Sequence, residues 1–277
     1  MSLFDGPPVD REQVDFAVSL AERAGRLARD RFFGGDTAAS LKADGSEVTA
    51  ADRAVEEFVR AELARHAPDD EVYGEEGGTT AGTSGRRWVV DPIDGTYYFA
   101  RRIPLFTTTL ALEDEHGPAI GVIHEPVTGR TVFAGRGRGC RESTGGPATP
   151  VRVNGQDRVG GAVTGVANPG TWSEELLAAL HRRVFLFPSG DVVGLVTGQV
   201  DAFVVAGAPM GYEDLAPLPV IVHEAGGRVT DLDGDPLLTG NGTVLATNGV
   251  LHDALLAVTR GLPHARDWTA LRAADPR

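Results

Sequence analysis

The stretch Asp91-Pro92-Ile93-Asp94-Gly95-Thr96 sets two carboxylates three residues apart, directly after the apolar run Trp88-Val89-Val90. That run reads as a buried strand. Its end is expected at Asp91-Pro92, because proline cannot donate to a sheet ladder. Two carboxylates at a strand end stiffened by proline can converge on one point. Hard divalent cations such as Mg²⁺ favour oxygen ligands of this kind, often with a backbone carbonyl added, here that of Ile93. Gly95 and Thr96 then open a short helix whose free N–H groups can hold a phosphate. Cation and phosphate would meet at the same place.

Other stretches follow in a fixed order: Lys42-Ala-Asp-Gly-Ser-Glu-Val-Thr-Ala-Ala-Asp52, Gly74-Glu75-Glu76, Asp214-Leu-Ala and Glu224-Ala-Gly-Gly227. Together with the hexapeptide they make the chain resemble the inositol monophosphatase superfamily from about residue 10 to about residue 260. The resemblance implies α+β and α/β elements in a layered αβαβα sandwich of the inositol monophosphatase and fructose-1,6-bisphosphatase type. It implies two or three Mg²⁺ ions held by Glu75, Asp91, Asp94, Asp214 and the Ile93 carbonyl, with Glu75 counted among the catalytic residues. Asp52 and Thr96 are implied to orient and deprotonate the metal-bound water that attacks phosphorus in line, while Gly95 and Thr96 hold the phosphate. A small-molecule phosphate monoester as substrate, a homodimer and inhibition by Li⁺ are implied too. The chemistry is coherent without the family: a phosphate monoester dianion repels hydroxide, and divalent metals offset that repulsion and lower the pKa of bound water. Four carboxylates in one pocket destabilise one another unless cations are present.

The chain departs from the family at informative places. Tyr98 and Arg102 stand where the family usually has asparagine and glycine, while Phe99 and Pro104 are kept. Glu213 replaces the tryptophan before the second-domain aspartate. Gly207 lies where inositol monophosphatases carry a glutamate that binds inositol hydroxyls, which argues against myo-inositol phosphate. Pro188-Ser189-Gly190-Asp191 resembles the histidinol-phosphate phosphatase branch, where an acid suits an amine-bearing substrate. Asp191, Glu213 and Lys42 are therefore the expected substrate-binding residues. Arg101-Arg102 and Tyr97-Tyr98 depart from that branch, so a sugar, polyol or nucleotide monophosphate stays open as the substrate. An inositol-1-phosphate phosphatase proper and a catalytically silent regulatory or binding member are the competing readings. The second is disfavoured because the whole catalytic set is present. A calcium-binding module would rest on Asp231-Leu-Asp233-Gly-Asp235, which lacks a closing glutamate and reads as a turn.

These side chains need elements to carry them. Apolar positions at helical spacing predict a helix from Asp10 to about Phe32, and another runs from Thr49 to His66 with Thr49 as N-cap and Asp52 in the capping-box place. Short strands are expected at Glu71 to Tyr73, Phe106 to Leu112, Ala119 to His124 and Thr131 to Ala134, forming a mostly antiparallel sheet. Gly77 to Gly85 reads as a mobile loop, and Arg141 to Gly161 as an inter-domain connection. The expected domains are residues 1–150 and 151–277, the second an α/β layer that contributes Asp214 from a helix spanning Asp214 to Ala225.

Composition narrows the function. A 42% hydrophobic share over 277 residues supports a buried core. The net charge of −13 disfavours nucleic acid as partner. Cys140, the only cysteine, excludes an internal disulfide and reads as a packing residue. No apolar run is long enough to span a membrane, and the N-terminus lacks a secretory pattern, so a cytoplasmic enzyme is expected.

Overall fold

Val14, Ala17, Leu20, Ala21, Ala24 and Ala28 share one buried face of helix α1 (Arg11–Gly34), capped by Asp10, whose carboxylate accepts the Glu12 N–H. Helix α2 (Ala50–His66) opens with a complete Thr49/Asp52 capping box and buries Val55, Val59 and Leu63. The computed structural model describes residues 6–42, 47–188 and 191–269. Two compact units are formed, one running to Val151 and resuming at Tyr212–Ala225, the other made of Arg152–Gly211 and the chain from Gly226 onward.

The first unit holds a small antiparallel pair, β1 (Ala39–Leu41) and β2 (Glu47–Thr49), and strands β3 (Glu71–Gly74), β4 (Gly78–Thr80) and β5 (Arg87–Asp94). A short helix α3 (Thr96–Ala100) precedes β6 (Thr107–Asp114), β7 (Gly117–Glu125), β8 (Arg130–Gly135), β9 (Gly139–Ser143) and β10 (Thr149–Pro150). The eight-stranded sheet runs β10-β9-β8-β7-β6-β5-β3-β4. It is antiparallel except where β3 pairs parallel with β5.

The second unit contains β11 (Val163–Ala167), α4 (Glu174–His181), β12 (Phe185–Pro188), α5 (Val193–Val196) and β13 (Ala202–Val205). Helices α6 (Tyr212–Leu215) and α7 (Leu218–Glu224) belong to the first unit, after which β14 (Arg228–Thr230), β15 (Val244–Thr247) and α8 (His252–Thr259) complete the second. Its five-stranded sheet runs β12-β11-β13-β15-β14, parallel on either side of β11 and antiparallel on either side of β15.

Strand alternation explains the layering within the first unit. Trp88, Val90, Leu110, Leu112, Ile120 and Val122 point to the α1 and α2 side and make the larger core. Val89 and Ala111 point the other way, where they meet Ala216, Tyr73 and Tyr212. Helices therefore cover both faces. In the second unit Val166, Ala202, Val204 and Leu245 pack with Leu176 and Leu180 of α4 and Leu255 of α8.

Five expectations need correction. Strand β5 does not stop at Pro92 but continues to Asp94, because the register slips between Asp91 and Asp94, so the missing proline N–H falls in an irregularity. The Pro92 carbonyl accepts the Thr108 hydroxyl instead, at 2.9 Å. The Gly77–Gly85 stretch is not all loop: β4 pairs with β3, and Arg60 binds the Gly78 carbonyl and, at 3.0 Å, Thr80 Oγ1. Within the supposed connection from Arg141, β9 and β10 extend the sheet. The single helix expected from Asp214 is two, broken at Ala216-Pro217, where proline has no N–H to continue the ladder. That segment clusters with the first unit and not the second, since Ala216 is buried against Val89 and Ala111.

Candidate active site

Strand β5 delivers Asp91 and Asp94, and α6 brings Asp214 to meet them, so that a ligand oxygen of each lies within 4.8 Å of the others. Asp91 is 2% exposed, and its Oδ1 accepts the Ile93 N–H at 3.0 Å. Burial first, and then the charges of Glu75, Asp214 and Asp94, push the Asp91 carboxyl well above the usual carboxylate range. Asp94 is raised to about 7 by burial and by Asp214, against a lowering hydrogen bond from Thr107, whose Oγ1 lies 3.1 Å from Oδ2. One buried and two half-buried carboxylates brought this close form a hard-oxygen donor set that suits a divalent cation such as Mg²⁺.

Beside the trio, the Thr96 hydroxyl lies 3.0 Å from Asp52 Oδ1 and 3.0 Å from the Ile93 carbonyl. The other carboxylate oxygen of Asp52 accepts the Thr49 N–H at 2.8 Å and the Thr49 hydroxyl at 2.5 Å. The capping and functional readings of Asp52 are thus compatible: one oxygen starts the helix and the second faces Thr96. Gly95 adopts φ 91 as N-cap of α3, a left-handed conformation open to glycine, and an added Cβ would come within 3.0 Å of the Leu105 carbonyl.

Glu75 stands outside the trio. Its Oε1 is 2.7 Å from Lys42 Nζ, which also lies 2.6 Å from Glu76 Oε1, so one ammonium group pairs with both carboxylates. Burial raises the Glu75 carboxyl to about 7 in spite of Lys42. The stretch joining Lys42 to β2 includes residues 43–46 of the family motif, which lie outside the described residues.

Sequence reasoning missed Glu56. This residue is 2% exposed and accepts the Glu76 N–H at 2.7 Å, the Gly77 N–H at 2.8 Å and Arg60 Nε at 2.7 Å. It therefore shapes the turn that carries Glu75. The signal was available: Asp52, Glu56 and Arg60 recur every fourth residue, one face of α2.

Among the expected substrate residues, Glu213 accepts the Tyr73 hydroxyl at 3.3 Å. Asp191 lies in the second unit, where its carboxylate accepts the Val193 N–H at 2.9 Å. Ser189 and Gly190 of the branch motif lie outside the described residues. Arg102 retains the backbone need of the glycine it replaces, with φ 59. Gly207 has φ 88, and a Cβ there would fall 2.2 Å from Thr171 Oγ1. The Asp231 turn is structural: its carboxylate accepts the N–H groups of Asp233, Asp235 and Asn241. His124 is buried against Thr131 with its pKa lowered to about 4, and burial lifts the Cys140 thiol to about 12, so neither is poised for chemistry.

Comparison with known proteins supplies the family. The Inositol monophosphatase family matches residues 10–264. A histidinol-phosphatase of Mycobacterium tuberculosis is 38% identical over 90% of this chain and 98% of its own length. An inositol-1-monophosphatase of Mesorhizobium japonicum is 33% identical over 89% of this chain and 96% of its own. Among solved structures, the extragenic suppressor protein suhB from Bartonella henselae superposes with a TM-score of 0.80 at 27% identity, covering 91% of this chain and 100% of that one. Fold and relatives together define an enzyme that hydrolyses phosphoric monoesters. The chain belongs to the inositol monophosphatase family. Among the described residues no helix is long and apolar enough to cross a membrane.

Proposed function

We propose that the chain is a Mg²⁺-dependent phosphatase of a small metabolite of the histidinol-phosphate kind. The observation that carries this is the convergence of Asp91, Asp94 and Asp214 beside the Thr96–Asp52 pair. Asp91, Asp94, Asp214, the Ile93 carbonyl and Glu75 would hold the two or three ions, Glu75 on exchanging Lys42 for a cation. Bound divalent ions supply charge neutralisation at phosphate and a lowered pKa for water. Thr96 Oγ1 takes a proton from the attacking water and passes its own to Asp52 Oδ1. The N–H groups of Gly95 and Thr96, at the start of α3, receive the phosphate oxygens.

For the leaving group, two observations favour histidinol phosphate over inositol phosphate. The M. tuberculosis relative is a histidinol-phosphatase. Gly207 occupies the place of the inositol-binding glutamate in a conformation and a packing against Thr171 that oppose any side chain. Asp191, Glu213 and Lys42 are the acids and base proposed to meet the substrate.

The test is phosphate release from histidinol, inositol, sugar and nucleotide monophosphates, with Mg²⁺ or EDTA, by wild type and Asp94→Asn. Turnover of histidinol phosphate that needs Mg²⁺ and is lost in the variant is expected. Faster release from inositol-1-phosphate would reverse the substrate assignment, and no release from any ester would favour a regulatory protein.

A further inference from the structure

Tyr212 is the residue at which the chain re-enters the first unit, and it precedes Asp214 by two positions on α6. Its hydroxyl donates to Glu113 Oε1 near the end of β6 and accepts from Arg87 Nη2 on β5 at 2.7 Å. Arg87 in turn grips Glu113 Oε2 through Nε at 2.8 Å and Nη2 at 2.5 Å. The guanidinium also lies 4.8 Å from the centroid of the Tyr212 ring. From β3, Tyr73 meets that ring edge to face at 6.0 Å. Phenol, guanidinium and carboxylate thus close a three-membered ring of hydrogen bonds, with charge-assisted bonds that are the stronger kind.

We propose that Tyr212 is a positioning residue: its phenol, clamped by Arg87 and Glu113, holds Asp214 against Asp91 and Asp94 and so sets the affinity of the trio for a divalent cation. Three features support this. Helix α6 has only 4 residues, too few to be stable through its own hydrogen bonds. A ligand oxygen of Asp214 lies within 4.8 Å of those of both β5 aspartates, so any shift of α6 changes the spacing of the trio directly. Arg87 shares strand β5 with Asp91 and Asp94, so the clamp references Asp214 to the same strand that carries its two partners. The inference rests on reading the trio as a metal site.

The experiment is calorimetric titration of Mg²⁺ and Mn²⁺ into the full chain, comparing wild type with Tyr212→Phe, which keeps the ring and removes the hydroxyl. Disturbing the groups that orient a metal ligand raises Kd by about tenfold or more. That rise is expected here, with the fold retained by circular dichroism and KM for the phosphate ester at saturating cation little changed. Should Tyr212→Phe fail to fold, Glu113→Gln is read in its place, with the same rise expected. Wild-type affinity in the folded variant overturns the clamp alone. A wild-type chain that binds neither cation removes the metal reading, and the clamp with it.

Discussion

Thr96 Oγ1 and Asp52 Oδ1 lie 3.0 Å apart, joining the first turn of α3 to the first turn of α2. Asp52 also completes the Thr49 capping box. Thr96→Ala is therefore expected to cut kcat by about 10²-fold or more, the usual scale for a positioned proton acceptor, with little change in melting temperature. Asp52→Asn should lose comparable activity and, in addition, about 1 kcal/mol of stability through the cap. The two losses in kcat should not add in the double variant, because both break one relay. Additive losses would show that the residues act separately.

Stability should depend on pH in a direction set by Asp91, Asp94 and Glu75. Asp94 and Glu75 are raised to about 7, and Asp91 is raised as well, each chiefly by burial. An acid whose folded pKa exceeds its unfolded value binds more protons when folded, so stability falls as pH rises between the two values. The metal-free protein should accordingly melt at lower temperature at pH 8 than at pH 5. Mg²⁺ binds the ionised acids and should raise the melting temperature more at pH 8 than at pH 5. Differential scanning calorimetry with EDTA or Mg²⁺ reads both effects, and a metal-free melting temperature that climbs from pH 5 to pH 8 contradicts the assignment.

Glu56 shapes the turn holding Glu75. Glu56→Ala strands two backbone N–H groups and Arg60, and is expected to cost about 3 kcal/mol in urea unfolding. Glu56→Gln, which keeps the size and one acceptor oxygen, should cost less. Both should raise the Mg²⁺ concentration needed for half-maximal activity, whereas a variant with full stability and unchanged Mg²⁺ dependence would show the turn to be independent of Glu56.

Arg102 adopts φ 59, where an L side chain is strained. Arg102→Gly should raise stability by about 0.5–1 kcal/mol, since relief of strain exceeds the added freedom of glycine in the unfolded chain. Thermal melting checks this. A lower melting temperature would mean that the Arg102 side chain contributes more than its backbone costs.

Residues close in sequence were legible from sequence alone. The Asp91 to Thr96 stretch, the Thr49–Asp52 cap and the α1 face depend on spacing within one peptide, where bond geometry leaves few options. So did the assignment of Asp231-Leu-Asp233-Gly-Asp235 to a turn. The continuation of β5 past Pro92 was not legible, because it depends on how β6 accommodates a missing donor. Nor was the membership of Asp214 in the first unit, which follows from Ala216 packing on Val89 and Ala111. Glu56, the Arg87–Glu113–Tyr212 ring and the contact of Thr171 with Gly207 likewise join positions far apart in the chain. The sequence by itself determined which carboxylates and helix-start N–H groups stand side by side in the chain. Only the tertiary structure decided which acids meet and which are engaged elsewhere, because a carboxylate's partners are set by long-range packing and not by its neighbours in the chain.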